Sequence, residues 1–487
     1  MRSLVDSHPD PYAGFGGVIG FWRRVAETRD ALPDGGATAA GFLSLLRPLV
    51  AGVRDAHTTI LPANRAYDAE PAASLGLEWD VDADGLHVAA AYEEGNRGLL
   101  GARLRAVKGV PAGRLADRMR ELTARDNEYG NLVNLARALR DPALVAELAG
   151  DTDPVVVAVE PGGSVPLTPR RWAGSARIAR PSTLDLPAVG PHGIAWRMLD
   201  DVGYLRFGRL LGYREAFEYA RAAGIRWLLA ERLPDTLRRL GTDPIPSTVD
   251  DQIAAVPTAC GTIGALVSAM AAAGSRRLVV DLRHCPGGNS LVATVLALLL
   301  YGRDALLDVD EGYQIPPYSP LYAATHDGRS PAYGYDFGAE RDWLRARADP
   351  AVRRRRNAAG LAELRDASPS LAAYPESLAG QPLRPTVAVV VDAFTFSAGV
   401  DIALMVLRLG ATLVGVPPAR APNCFIDTVP YRLDHTGPHG TVSFRYSLAF
   451  PADPARGRVL TPHHAKEAGN DPDGTVRQAL RHLARSA

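Results

Sequence analysis

Three short segments carry side chains whose types and placement suit acyl-transfer chemistry. The first is Thr395-Phe396-Ser397-Ala398-Gly399, where the apolar run PTVAVVVD turns directly into AGVDIALMVLRLG. A hydroxyl at such a strand-to-helix turn is presented at the carboxyl end of a strand, and the unpaired N–H groups of the helix face any negative charge that develops there. The setting resembles a nucleophile elbow without the full Gly-x-Ser-x-Gly pattern, and its plainer reading is a serine capping a helix. The second is His57 in RDAHTT, at the end of a helical layer. Imidazole is the side chain suited to accept a proton near neutral pH, although a histidine in that position also serves as a structural or solvated group. The third is Asp281-Leu282-Arg283-His284-Cys285-Pro286-Gly287-Gly288-Asn289. Its double glycine lets backbone N–H groups approach a ligand oxygen closely, as an oxyanion hole requires, or simply makes a tight turn. His284 is read as a packing or substrate-lining group, and Cys285 as a small packed hydrophobe or a part of the same substrate wall.

Elements that would position these residues follow from the hydrophobic pattern. Residues 1–64 read as helical: FWRRVAETRDAL and GFLSLLRPLVAGV have helical spacing and are separated by a Pro-Asp-Gly-Gly break at 33–36. Residues 65–185 read as a small β-rich domain of alternating strands, with Ala83-Asp84-Gly85 as a hairpin signal. Residues 186–487 alternate buried apolar strands (GYLRFG, RRLVVDLR, PTVAVVVD, ATLVGV) with helices, the mark of an α/β layer, interrupted by an Arg-rich excursion over about 302–382.

Composition narrows the function classes. With 487 residues, 47% hydrophobic and 22% charged, the chain is of ordinary globular type, and 54 basic residues balance 54 acidic ones. Nothing in that balance points to nucleic acid. The run Arg353–Arg356 reads as a solvated helix face rather than an anion site. Cys260, Cys285 and Cys424 lack metal-ligand spacing, so neither a disulfide scaffold nor structural zinc is expected, and no cofactor is implied. The amino terminus has no signal-peptide pattern and no uncharged apolar stretch of about 18 residues follows, so the expectation is a cytoplasmic protein without a membrane partner.

Together the three segments resemble the S41 peptidases, the C-terminal-processing and tricorn-like serine enzymes. VRDAHTTI is similar to their Asp-Gly-His-Thr motif, LVVDLRHCPGGNS to their Asp-Leu-Arg-x-Asn-x-Gly-Gly strand and turn, and TFSAGVDIALMVLRLGATLVG to their Ser-Ala-x-Glu helix and following strand. GLLGARLRAVKGVPAGRL is similar to the PDZ-like middle domain. The resemblance implies an α/β fold with a ClpP/crotonase-like catalytic domain, Ser397 as nucleophile, and an oxyanion hole from the N–H groups of Gly287 or Gly288 and Ala398. Members of this family use either a lysine about 25 positions beyond the serine or the histidine of the Asp-Gly-His motif. The window 415–430 has no lysine, and Lys108 and Lys466 are the only two in the chain, so the resemblance implies His57 as the base.

Departures from the family are Ala56 before the histidine, Cys285 in place of the asparagine, and the acid after the serine at Asp401 rather than at 400. The tricorn-like glutamate near the carboxyl terminus has no clear counterpart and TPHH stands where Pro-Asp is expected, leaving Asp453 and Glu467 as the nearest acids and the candidates for the third triad member. The expected activity is cleavage of a peptide or related acyl bond through an acyl-enzyme. The alternatives are small-molecule acyl transfer, cyclisation or lyase chemistry on the same scaffold, and non-catalytic peptide binding.

Overall fold

The computed structural model describes residues 2–63, 73–150, 154–172, 175–310, 312–315, 319–325, 337–374, 382–467, 469 and 471–485. The sequence boundary at 64/65 lies outside these residues. Backbone contacts group the chain into two compact units, where the sequence reading has three consecutive segments. One unit comprises Met1–Thr183, Ala419–Arg445 and Ala468–Pro472; the other comprises Leu184–Pro418, Tyr446–Glu467 and Asp473–Ala487. The fold is mixed α/β with several sheets.

In the first unit the helices Val18–Asp30 and Ala39–Ala51 precede an antiparallel sheet ordered Leu77–Asp82, Gly85–Ala91, Arg103–Val107, Val155–Glu160, Gly163–Leu167. The hairpin at 82–85 closes with Asp82 opposite Gly85, which takes φ +130°. Burial alternates along these strands, and their inner faces place Leu77, Trp79, Val81, Leu86, Val88 and Val157 in the core. The helices Ala112–Leu122, Glu128–Ala138 and Pro142–Ala149 complete this part of the chain.

The second unit is built on a sheet ordered His464–Ala465, Thr412–Gly415, Thr386–Val391, Arg277–Asp281, Val202–Phe207, Ile194–Leu199. All neighbours run parallel except the last pair. The runs RLVVD and TVAVVV are apolar on both sides because both faces of the sheet are covered. Leu278, Val280, Val387, Val389 and Leu413 face one core with Ile263, Leu296 and Val400. Val279, Ala388, Val390 and Val414 face the other, under Val476, Ala479 and Leu483 of the helix Gly474–Arg485. One helical stretch among the described residues, Val249–Ala272, is long and apolar enough to cross a membrane by composition. It comprises the helices Val249–Ala254 and Ala259–Ala272, and Ile263, Leu266 and Met270 are buried in the first of these cores. The Arg353–Arg356 run lies on the helix Pro350–Ala367, where Arg354 pairs with Asp304 and Asp308.

Candidate active site

Strand Thr386–Val391 ends in a turn fixed by its own side chains. Thr395 N–H donates to Asp392 Oδ1 (2.8 Å), Asp392 N–H donates to Thr395 Oγ1 (3.1 Å), and the Thr395 hydroxyl donates to the Leu282 carbonyl (2.8 Å). Ser397 follows at φ +48°, ψ −124° and opens the helix Ala398–Arg408 without a side-chain capping bond. A non-glycine residue in this region is strained by about 1–3 kcal/mol. The capping role open to this serine from sequence is therefore not the one it fills.

The glycine turn packs directly against it. Asp281, fully buried at the end of its strand, accepts from the Arg283 backbone N–H and Nε (both 3.0 Å), from Arg283 Nη2 (2.7 Å) and from the Tyr204 hydroxyl (2.5 Å). Burial alone would raise its pKa, but Arg283 and Tyr204 outweigh it and hold the carboxylate below its ordinary value. From this anchor the chain reaches Gly287 (φ +86°) and Gly288 (φ +144°). A Cβ on Gly287 would lie 2.6 Å from Ala398 N, Phe396 O and Ser397 Cβ, and one on Gly288 would lie 2.3 Å from the Leu210 carbonyl oxygen. Phe396 N–H donates to the Cys285 carbonyl (2.9 Å), and the Ser290 hydroxyl donates to Asp401 Oδ2 (2.5 Å), so the two turns are stitched on both sides.

His284 is exposed at φ +55°, with Nε2 3.4 Å from Asp392 Oδ2 and its ring 5.0 Å from that of Phe394. The Cys285 side chain lies in the core rather than at a wall: it is fully buried, its thiol donates to the Gly208 carbonyl (3.0 Å), and burial pushes its pKa up to about 12. Asp453 caps the helix Pro454–Arg458 by accepting from Arg456 N–H (3.0 Å), and Glu467 pairs with Arg481 (2.5 Å). Both acids named from the sequence are thus engaged within the second unit.

His57 belongs to the first unit, on a loop that follows the helix Ala39–Ala51. This loop runs beside strand His439–Leu448: Thr59 N–H donates to the Thr441 carbonyl (2.9 Å), the Thr441 hydroxyl donates to the His57 carbonyl (2.7 Å), and Leu61 bridges His439. Two acids that the sequence reading passed over lie around it. Asp55, fully buried, accepts His57 N–H (2.9 Å) and the Thr58 hydroxyl (2.5 Å), pairs with His8 Nε2 (3.2 Å), and has Oδ1 3.9 Å from His57 Nδ1. Burial works to raise its pKa, but His8, His57 and Thr58 outweigh it and keep the group below the usual carboxylate value. Asp126 accepts Ala56 N–H on Oδ1 (2.8 Å) and Ala421 N–H on Oδ2 (3.1 Å). Burial first, then the Asp55 charge, raises Asp126 to about 7. Asp55 stood within the histidine motif and was visible. Asp126 was not, because next to the helix-capping Asn127 it reads as ordinary helix-start chemistry.

A raised acid weakens the folded state as pH rises, because the unfolded carboxyl ionises first. Asp126 should therefore cost stability progressively between about pH 4 and pH 7 and no more above that window. The total is on the order of 4 kcal/mol at most, at about 1.4 kcal/mol per pKa unit. Asp126→Asn is expected to flatten that slope in urea unfolding midpoints taken across pH 4–8. An unchanged slope would place the Asp126 carboxyl at an ordinary value.

No protein-family model matches the chain, and no curated protein matches it. Among solved structures, mature CPAF aligns over 100% of this chain and 94% of its own with a TM-score of 0.56 at 12% identity. Mature CPAF complexed with lactacystin aligns over 99% and 95%, also with a TM-score of 0.56 at 12% identity. The photosystem II D1 C-terminal processing protease aligns over 98% and 95% with a TM-score of 0.43 at 13% identity. The chain shares its fold with mature CPAF.

Proposed function

We propose that this chain is a serine peptidase of the S41 type, with Ser397 as nucleophile and His57 as general base. The observation that carries the reading is Ser397 itself, a strained, non-capping serine at a strand-to-helix turn, packed against a double glycine that tolerates no side chain. In the proposed reaction the Ser397 Oγ attacks the substrate carbonyl carbon while its proton passes to the imidazole of His57. The oxyanion is stabilised by backbone N–H groups of Gly287 or Gly288 and of Ala398, aided by the amino-terminal end of the helix Ala398–Arg408. Collapse breaks the C–N bond, and His57 returns the proton to the leaving amine. Water then attacks the acyl-enzyme, giving its proton to His57, and releases the acid product and the free serine. We further read the six-stranded sheet of the second unit as a ClpP/crotonase-like scaffold and the antiparallel sheet of the first unit as a PDZ-like module that binds a chain end.

A fluorophosphonate probe tests the reading, since only an activated hydroxyl reacts with it. Peptide mapping should place the label on Ser397, and an unlabelled Ser397 in folded protein refutes the assignment. Mass spectrometry of peptide substrates would then show cleavage products, whereas turnover of small acyl compounds alone would favour the small-molecule alternative.

Gly287→Ala is the variant that addresses the oxyanion turn. The new methyl would collide with backbone atoms of the nucleophile turn, and φ +86° is costly for alanine. The expected result is a labelling rate reduced about 100-fold or more and a stability loss of about 1–3 kcal/mol. Wild-type rate and melting temperature would show that this turn does not shape the site.

A further inference from the structure

We propose that the acid serving His57 comes from its own loop: Asp55 is the positioning carboxylate for the imidazole, and Asp126 holds the loop backbone that carries both. The proposal rests on reading His57 as the base. It departs from the two acids that the sequence places near the carboxyl terminus, which cap a helix and pair with an arginine.

The geometry is specific on three counts. Asp55 Oδ1 both accepts the His57 backbone N–H (2.9 Å) and stands 3.9 Å from ring Nδ1. One carboxylate oxygen therefore fixes the residue and faces its ring, at a separation that protonation of the imidazole would shorten. Ala56, the residue between them, gives its N–H to Asp126 Oδ1, while Asp126 Oδ2 takes the N–H of Ala421. Asp126 thus pins the Asp55–Ala56 peptide to the segment leading into strand Asn423–Arg432. That restraint acts on a loop whose Arg54 is held at φ +59°.

The charges around the pair agree with these roles. His8, from the amino-terminal segment, accepts Asp10 N–H on Nδ1, so its own proton sits on Nε2 and is donated to Asp55. Thr58 on the same loop donates to Asp55 and itself accepts Ser443 N–H (3.2 Å) from strand His439–Leu448. Arg420, fully buried, and the Asp55 carboxylate are the charged groups that act on Asp126. With burial and Asp55 both opposing its ionisation, Asp126 keeps its proton up to about pH 7. Below that pH, Asp55 carries the negative charge of this acid pair and stabilises the imidazolium that forms when His57 takes the serine proton.

The test is the second-order rate of fluorophosphonate labelling of Ser397 between pH 5 and pH 9, in wild type, His57→Ala, Asp55→Asn and Asp126→Asn. Asp55→Asn is expected to lower the plateau at least 10-fold and to move the acid limb down by about one pH unit, because the imidazolium loses its charge partner. Asp126→Asn is expected to keep most of the plateau and to remove an inflection near pH 7. A folded Asp55→Asn protein with the wild-type limb and plateau overturns the proposal. Should Asp55→Asn fail to fold, the Asp126→Asn profile decides, and an unchanged profile overturns it. Wild-type labelling by His57→Ala is a different failure: it removes the Ser397–His57 reading itself.

Discussion

Replacing Ser397 with alanine is expected to abolish turnover, by a factor on the order of 10⁶ where the uncatalysed rate can be followed, while leaving the protein folded. Loss of the nucleophile removes the acyl-enzyme and leaves only what the oxyanion hole and substrate binding contribute. The fold should survive because the hydroxyl makes no capping bond at the start of the helix Ala398–Arg408. The loss of about 1 kcal/mol that usually follows removal of a serine cap is therefore not expected. Alanine keeps the same strained backbone, so the melting temperature should stay close to that of the wild type. The measurement pairs peptide turnover with thermal unfolding on one preparation, and a folded variant that turns over normally excludes nucleophilic catalysis at this position.

His57→Ala should cost a similar amount, because a serine hydroxyl is a weak nucleophile without a base and the residues that act together in such a site are not additive. The double variant Ser397→Ala/His57→Ala should accordingly be little worse than either single one. The wild-type rate should fall on the acid side with an apparent pKa of about 6 to 7, as the base becomes protonated. His57→Ala should lose that limb together with the rate. A variant retaining a tenth of wild-type turnover with the acid limb intact would assign the base to another group. Melting temperature controls for its effect on the Thr441 and Leu61 contacts, which use backbone atoms of the loop and not the imidazole.

The parts of the fold that were legible in the sequence are those whose causes are local. RLVVD and TVAVVV could be read as buried strands of an α/β layer because both faces are covered, and Ala83-Asp84-Gly85 as a hairpin because its turn demands it. The contact between Gly287 and the Ser397 turn was legible only through the resemblance, since 110 positions separate them and the collision that makes glycine obligatory is that of a Cβ with Ala398 N, Phe396 O and Ser397 Cβ, whatever the residue types. The grouping of Ala419–Arg445 with the first 183 residues was not legible, because a returning strand looks the same in sequence whichever body it joins. Asp126 escaped for a related reason. Its partners, the amides of Ala56 and Ala421, leave no mark on residue type.

The backbone of Ser397 carries a lesson about inheritance. At φ +48°, ψ −124° the residue that folding alone prefers is glycine, and the serine persists there against that preference. With Ser397 as the proposed nucleophile, drift at this position is biased in one direction: the change to glycine that would silence the chemistry is also one that relaxes the native state. Under the proposed reaction, a lineage freed from the need to react at this site would meet no barrier of misfolding on the way to an inert descendant, and only a requirement for activity would hold the hydroxyl in place.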